Sequence, residues 1–232
     1  MAKRILLKLS GEALAGDKKR GFDEATVQAV AKQVRQILEN DTQVGIVIGG
    51  GNFWRGRSSE NMDRAKADQI GMLATVMNCI YTSEIFRSQG IQTEIFTPFA
   101  VGTFTRLFSK DDAIGAMKQG KVVFFAGGTG HPYFSTDTGV VLRAIEVEAD
   151  VILLAKAIDG VYDSDPATNP EAVKYDEITI DEVIAQNLQV MDMTASILAR
   201  DNHMPMQVFG LEEADSIVRA AAGEAFGTKV IV

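Results

Sequence analysis

Apolar positions along this chain follow two spacings that alternate from one end to the other. Short runs rich in Val, Ile, Leu and Phe at residues 4–9, 44–48, 93–97, 121–126, 150–154, 206–211 and 228–232 have the length of buried strands. Between them apolar residues recur at helical spacing. The clearest case covers 23–39, where Val27, Val30, Ala31, Val34, Ile37 and Leu38 share one face, Asp23 stands at the N-cap and Phe22 is placed to staple onto Val27. A long helix over 63–87, stopped by Gly90, carries Ile70, Leu73, Met77 and Ile80 along one side. Ser109 and Gly120 bracket another, a hydroxyl-rich start opens one that runs to about 148, and three more fall at 181–187, 194–202 and 212–222. Residues 159–170 hold Asp, Gly, Pro and Asn and read as turns. Strands alternating with helices predict an α/β fold, a three-layer α/β/α sandwich around a mainly parallel twisted sheet, as a single domain over 1–232.

Chemistry concentrates where strands end. The run at 44–48 stops at Gly49, Gly50 and Gly51, which bare their N–H groups and permit positive φ, and Arg55 follows with a fixed positive charge. Lys8 arrives at the carboxyl end of the first strand, before Ser10 and Gly11, the end at which α/β proteins hold ligands. The strand at 121–126 leads into a second glycine loop, Gly127-Gly128-Thr129-Gly130, ahead of a helix start. Two such loops point to phosphate, because a helix N-terminus offers free N–H groups and the positive end of a dipole. Neither loop has the G-x-x-x-x-G-K-[ST] or G-x-G-x-x-G spacing, so the common NTPase and dinucleotide designs are excluded.

Composition narrows the ligand. A formal charge of -8 and a pI near 4.9 argue against nucleic acid, so an anionic substrate must be held by local groups. The 46% hydrophobic and 23% charged content is that of a globular protein. Cys79 is the only cysteine, which excludes an intrachain disulfide and suits a small core residue. The two histidines, His131 and His203, lack any zinc-ligand spacing, so no dedicated metal site is expected. The N-terminal run is broken by Lys8, which makes it a strand and not a signal, and no apolar segment approaches the roughly 20 residues that span a bilayer; a cytoplasmic location follows as the expectation.

With these residues in view the chain resembles the amino acid kinase superfamily and, within it, the bacterial UMP kinases, over essentially its whole length. The likeness is carried by Lys8-Leu9-Ser10-Gly11-Glu12-Ala13-Leu14, by Gly49-Gly50-Gly51-Asn52-Phe53-Trp54-Arg55-Gly56, by Gly71-Met72-Leu73-Ala74-Thr75-Val76-Met77-Asn78, and by residues 129–137. The segment Asp159-Gly160-Val161-Tyr162-Asp163-Ser164-Asp165-Pro166 is shared more widely in the superfamily. The resemblance implies transfer of the γ-phosphoryl of Mg²⁺-ATP to UMP. It implies ATP binding by Lys8, Leu9, Ser10, Gly11, Gly51, Arg55, Lys156, Tyr162 and Asp165, with Lys8, Asp137 and Asp192 as catalytic residues. UMP would be held by Gly50, Asp68, Thr129, Gly130, His131, Pro132, Tyr133, Phe134, Ser135 and Thr136, with magnesium carried by the nucleotide. His131 stands where relatives often carry Asn, and residues 154–158 depart from the Lys-Ala-Thr-Lys form of some members.

The resemblance further implies a homohexamer, GTP as activator and UTP as inhibitor, with the loop of Gly16, Asp17, Lys18, Lys19, Arg20 and Gly21 matching the segment tied to GTP. From the residues alone, that loop reads equally as a solvated charge run. A kinase of an acidic metabolite (acetylglutamate, aspartate or carbamate) and a nucleotide-binding regulator without turnover remain open as alternatives.

Overall fold

A computed structural model describes residues 2–18, 20–54 and 61–232. Lys19, Arg55 and Gly56 lie outside the described residues, as does the side chain of Asp17. The first strand, β1 (Arg4–Leu9), sits mid-sheet between β2 (Gln43–Ile48) and β6 (Val151–Lys156), parallel to both. Beyond β2 come β5 (Val122–Phe125), β3 (Thr93–Thr97) and the two-residue β4 (Arg106–Leu107), again parallel. Beyond β6 come β10 (Met206–Gly210), then β11 (Thr228–Ile231) running antiparallel to it, and β9 (Glu177–Thr179) at the edge.

The period of two along each strand divides the core. Leu6, Val47, Phe125, Leu154 and Val208 point to a layer formed by α4 (Lys110–Lys118), α5 (Thr136–Glu146), α6 (Ile180–Ala185) and α7 (Met193–Asp201). Ile5, Leu7, Ile46, Phe124, Leu153 and Phe209 point the other way, to α1 (Gly11–Ala15), α2 (Glu24–Leu38), α3 (Arg64–Ser88) and α8 (Ser216–Ala222). The three-layer sandwich with a mainly parallel sheet is therefore present.

Local signals act as their chemistry dictates. Asp23 caps α2 by accepting from Thr26 N, and Asp63 caps α3 through Lys66 N. Phe22, which the sequence suggested as a staple on Val27, stacks flat on Tyr81 of α3 with ring centroids 3.8 Å apart and meets Phe53 edge-on. Cys79 is buried, and that burial pushes its thiol pKa up, so it behaves as an apolar core residue. Among the described residues no helix is long and apolar enough to cross a membrane.

Four differences from the sequence expectation stand out. The turn after β1 winds into α1, capped by the Ser10 hydroxyl. The segment around 159–170 contains one strand of a small antiparallel hairpin, β7 (Val161–Tyr162) with β8 (Lys174–Tyr175). β9 and β4 are also new, and strands of two or three residues carry too few positions to show a period. The last helix begins at Ser216, after the 212 start expected, because Asp215 adopts φ 51, a left-handed conformation that a helix interior does not accept.

Candidate active site

The carboxyl ends of β1, β2 and β5 open onto a cavity of about 360 Å³. Lys8 enters it from β1, and its ammonium lies 2.9 Å from Asp137 Oδ1, with both side chains largely enclosed. Asp137 belongs to the first turn of α5, where a carboxylate is favoured by the helix dipole. A strand end and a helix start thus fix one cation at the mouth of the cavity.

The two glycine loops flank that pair and differ in conformation. Gly127, Gly128 and Gly130 adopt φ of 79, 59 and 85, so the second loop uses the left-handed region in the way glycine allows. Gly49, Gly50 and Gly51 do not use the positive φ that glycine permits. At Gly50 and Gly51 the constraint is room: a Cβ on Gly50 would fall 2.9 Å from Gly71 O of α3, and one on Gly51 would fall 3.1 Å from Glu12 Oε1.

The start of α5 is also less open than the sequence suggested. The Ser135 hydroxyl accepts from Asp137 N and Thr138 N at 3.0 and 3.2 Å, so these two amides are occupied. The same hydroxyl donates to Asp192, which receives Thr138 Oγ1 at 3.3 Å and caps α7 through Ala195 N. Asp192 does not line the cavity; it ties α5 to α7. At the α3 side of the cavity Arg64 grips both oxygens of Asp68 at 3.0 and 2.9 Å, and Tyr133 N donates to Asp68 Oδ2 at 2.8 Å. Thr75 of α3 accepts from Gly127 N at 2.8 Å and so reaches across to the second loop.

Against this geometry, the model of the amino acid kinase family matches residues 3–210. The chain belongs to the amino acid kinase family. Among solved structures, a UMP kinase from Bacillus anthracis shares 36% identity over 99% of this chain and 96% of its own, with a TM-score of 0.95. A UMP kinase from Ureaplasma parvum shares 34% identity over 100% of both chains at a TM-score of 0.93. The uridylate kinase of Archaeoglobus fulgidus is similar at 26% identity, over 97% of this chain and 99% of that one, with a TM-score of 0.74.

Many of the residues assigned by resemblance to this kinase family meet in this cavity. Lys8, Ser10, Gly11, Gly50, Gly51, Asp68, Thr129, His131, Phe134, Ser135, Thr136 and Asp137 all line it. Leu9 does not: its side chain is in the core, and its carbonyl accepts from Gly49 N, so it joins β1 to the first glycine loop. Gly130, Pro132 and Tyr133 frame the second loop without lining the cavity. Tyr162 and Asp165 also lie off it. The Tyr162 hydroxyl donates to Asp159 Oδ1 at 2.7 Å, and Asp165 Oδ1 accepts from Ala167 N at 2.9 Å. Lys156, at the end of β6, donates to the carbonyl of Val190; burial pushes its pKa below the lysine range, opposed by Asp137 and reinforced by Lys8.

In the basic loop, exposed Lys18 donates to Phe22 O at 3.3 Å and lies 3.7 Å from Asp23. Gly16, Lys18, Arg20 and Gly21 do not line the cavity. The sequence reading gave no site role to Glu12, Trp54, Arg64 and Thr75, all of which line it. For Arg64 the signal was present, since an Arg four residues before Asp68 on a helix is an ion-pair spacing.

Proposed function

We propose that this chain is an ATP-dependent UMP kinase, transferring the γ-phosphoryl group of ATP to UMP to give UDP and ADP. The observation that carries the reading is the likeness to UMP kinases over 99% and 100% of the chain at 36% and 34% identity. It is supported by a cavity of about 360 Å³, a volume suited to a small ligand. Kinases of acidic metabolites belong to the same superfamily, but the named neighbours act on UMP.

In this reading a phosphate oxygen of UMP attacks the γ-phosphorus, and the bond from that phosphorus to the β–γ bridging oxygen breaks, its electron pair leaving with ADP. No general base is required, since the UMP phosphate is ionised at neutral pH. Little covalent chemistry falls to the protein, so alignment and positive charge supply the catalysis. Lys8 would meet the transferring group, with Asp137 holding its ammonium in place. Ser10, Gly11 and Gly51 would serve the ATP phosphates, and Gly50, Asp68, Thr129, His131, Phe134 and Thr136 would hold UMP. Asp192 would act through Ser135 and Thr138, as a positioning residue.

Magnesium fits this donor set as a nucleotide-borne ion. Three carboxylates, Glu12, Asp68 and Asp137, line the cavity, with Asp68 paired to Arg64 and Asp137 to Lys8, and among the described residues no group of three or more His, Cys, Asp or Glu could cage a metal. When bound with ATP, the ion would neutralise phosphate charge.

Assembly and regulation extend the proposal. Ile70, Leu73, Met77 and Ile80 form an exposed apolar row on α3, which supports self-association to a homohexamer of a cytoplasmic enzyme. GTP activation through the 16–21 loop and UTP inhibition complete the reading. Light scattering at micromolar protein is expected to give a hexamer, and a monomer would refute the assembly. The deciding experiment mixes the purified protein and Mg²⁺-ATP with UMP, acetylglutamate, aspartate or carbamate. UDP formation is expected; ADP release with one of the acids and not with UMP would overturn the reading.

A further inference from the structure

Asn52 and Asn78 stand outside the cavity and are almost fully enclosed, at 2% and 0% exposure. Their amides face each other head to tail: Asn52 Nδ2 donates to Asn78 Oδ1 at 3.0 Å, and Asn78 Nδ2 donates to Asn52 Oδ1 at 2.8 Å. Each remaining amide hydrogen goes to a backbone carbonyl, from Asn52 to Gly21 O and from Asn78 to Gly49 O, both at 2.7 Å. Gly11 is pressed against the same pair, since a Cβ there would fall 2.4 Å from Asn52 Oδ1 and 2.4 Å from Gly49 O. Four segments distant in sequence converge here: the start of α1, the end of the 16–21 loop, the glycine turn after β2, and α3.

Enclosing two amides is costly unless every donor and acceptor is met, and here all of them are. Two leucines would fill similar space without that demand. They would also lack directional bonds to two carbonyls, one of which, Gly49 O, opens the turn that lines the cavity. Asn52 is itself the residue after that turn, so the pair grips the turn at both ends. We propose that Asn52 and Asn78 form a positioning pair for phosphoryl transfer, fixing the Gly49–Gly51 turn relative to the Ser10–Gly11 bend that follows Lys8. This rests on the kinase reading above.

The test compares wild type with Asn52→Ala, Asn78→Ala and the double variant, each as the full chain, by steady-state kinetics and thermal unfolding. Misplacing a reacting group by about an ångström costs on the order of 10²-fold in rate. Each single variant is therefore expected to lose about 10²-fold in kcat while its KM for UMP stays within a few-fold. Because the amides act as a unit, the double variant is expected to lose no more than about that same factor. Losses that multiply, or a lowered melting temperature with kcat per folded molecule within a few-fold of wild type, would overturn the proposal. Should the alanine variants not fold, Asn52→Ser retains a polar group at the site; a fall of about 10-fold in kcat is then expected, and unchanged turnover would overturn the proposal. Wild-type turnover of UMP, measured alongside, separates failure of the kinase reading from failure of the pair.

Discussion

The two glycine loops at the mouth of the cavity share a composition and differ in the reason for it. After β5 the chain turns through Gly127, Gly128 and Gly130 with φ between 59 and 85, and glycine is there for its handedness. After β2 the three glycines keep ordinary φ, and Gly50 is there because α3 passes too close for a side chain. The second loop is tied to Thr75 of α3 through Gly127 N, and the α5 start that follows it is tied to α7 through Ser135 and Asp192; the first loop is held by the amides of Asn52 and of Asn78 on α3. A glycine run in a sequence therefore names a tight place without saying whether the tightness is torsional or steric.

Lys8 bridges the two regions, since it rises from β1 beside the first loop and pairs with Asp137 at the helix that follows the second. Deleting its charge gives the largest expected effect. Lys8→Met should lower kcat by about 10²–10³-fold, roughly 3–4 kcal/mol of barrier, with KM for ATP and UMP near wild type. Steady-state kinetics within a few-fold of wild type would make Lys8 a strand residue that serves neither loop.

Next comes the anchor of the α5 start, which follows the second loop. Asp192→Ala removes the cap of α7 and strands two hydroxyls, and it should cost about 2–3 kcal/mol in urea unfolding. A loss below about 0.5 kcal/mol, the range of ordinary surface substitutions, would show that the α5 start does not depend on its tie to α7.

Two alanine substitutions then sharpen the contrast. Gly127→Ala meets both a φ of 79 and the Pro98 and Phe99 side chains at 3.0 and 2.9 Å. It should cost about 1–2 kcal/mol or more in the same assay. Gly49→Ala has ordinary φ and its nearest neighbour 3.5 Å away, so the expected change is within about 0.5 kcal/mol. Equal costs for the two would erase the distinction between loops.

Much of this was legible from the chain alone, and for identifiable reasons. β2 and β5 are buried on both faces and read as near-continuous apolar runs, β1 does so up to Lys8, and α2 buries one stripe and announces its cap. Lys8 stood out because a charge at the end of a buried strand is conspicuous. Thr75 and Asn78 did not, because polar residues on a helix ordinarily face water, and only the packing of α3 against the loops turns them inward. That helix is apolar on two sides at once, with Val76, Cys79 and Phe86 inward and Leu73 and Met77 outward, which blurs the single stripe by which inner and outer faces are usually told apart. At α5 the sequence offered both a hydroxyl-rich start and the prospect of free N–H groups for phosphate, and the two compete, since the Ser135 hydroxyl takes two of those amides as the cap.

The sheet's two rims carry a last consequence. One ends in β4, two residues long and bearing Arg106 with its ion pairs to Glu94 and Asp112; the other ends in β9, three residues long and starting at exposed Glu177. Rims this short and charged offer a poor template for another chain's backbone, so the sheet resists growing from one molecule into the next. Any contact between copies would thereby fall to helix side chains and not to shared main-chain ladders, a mode of contact that single surface substitutions can tune and that dilution can undo.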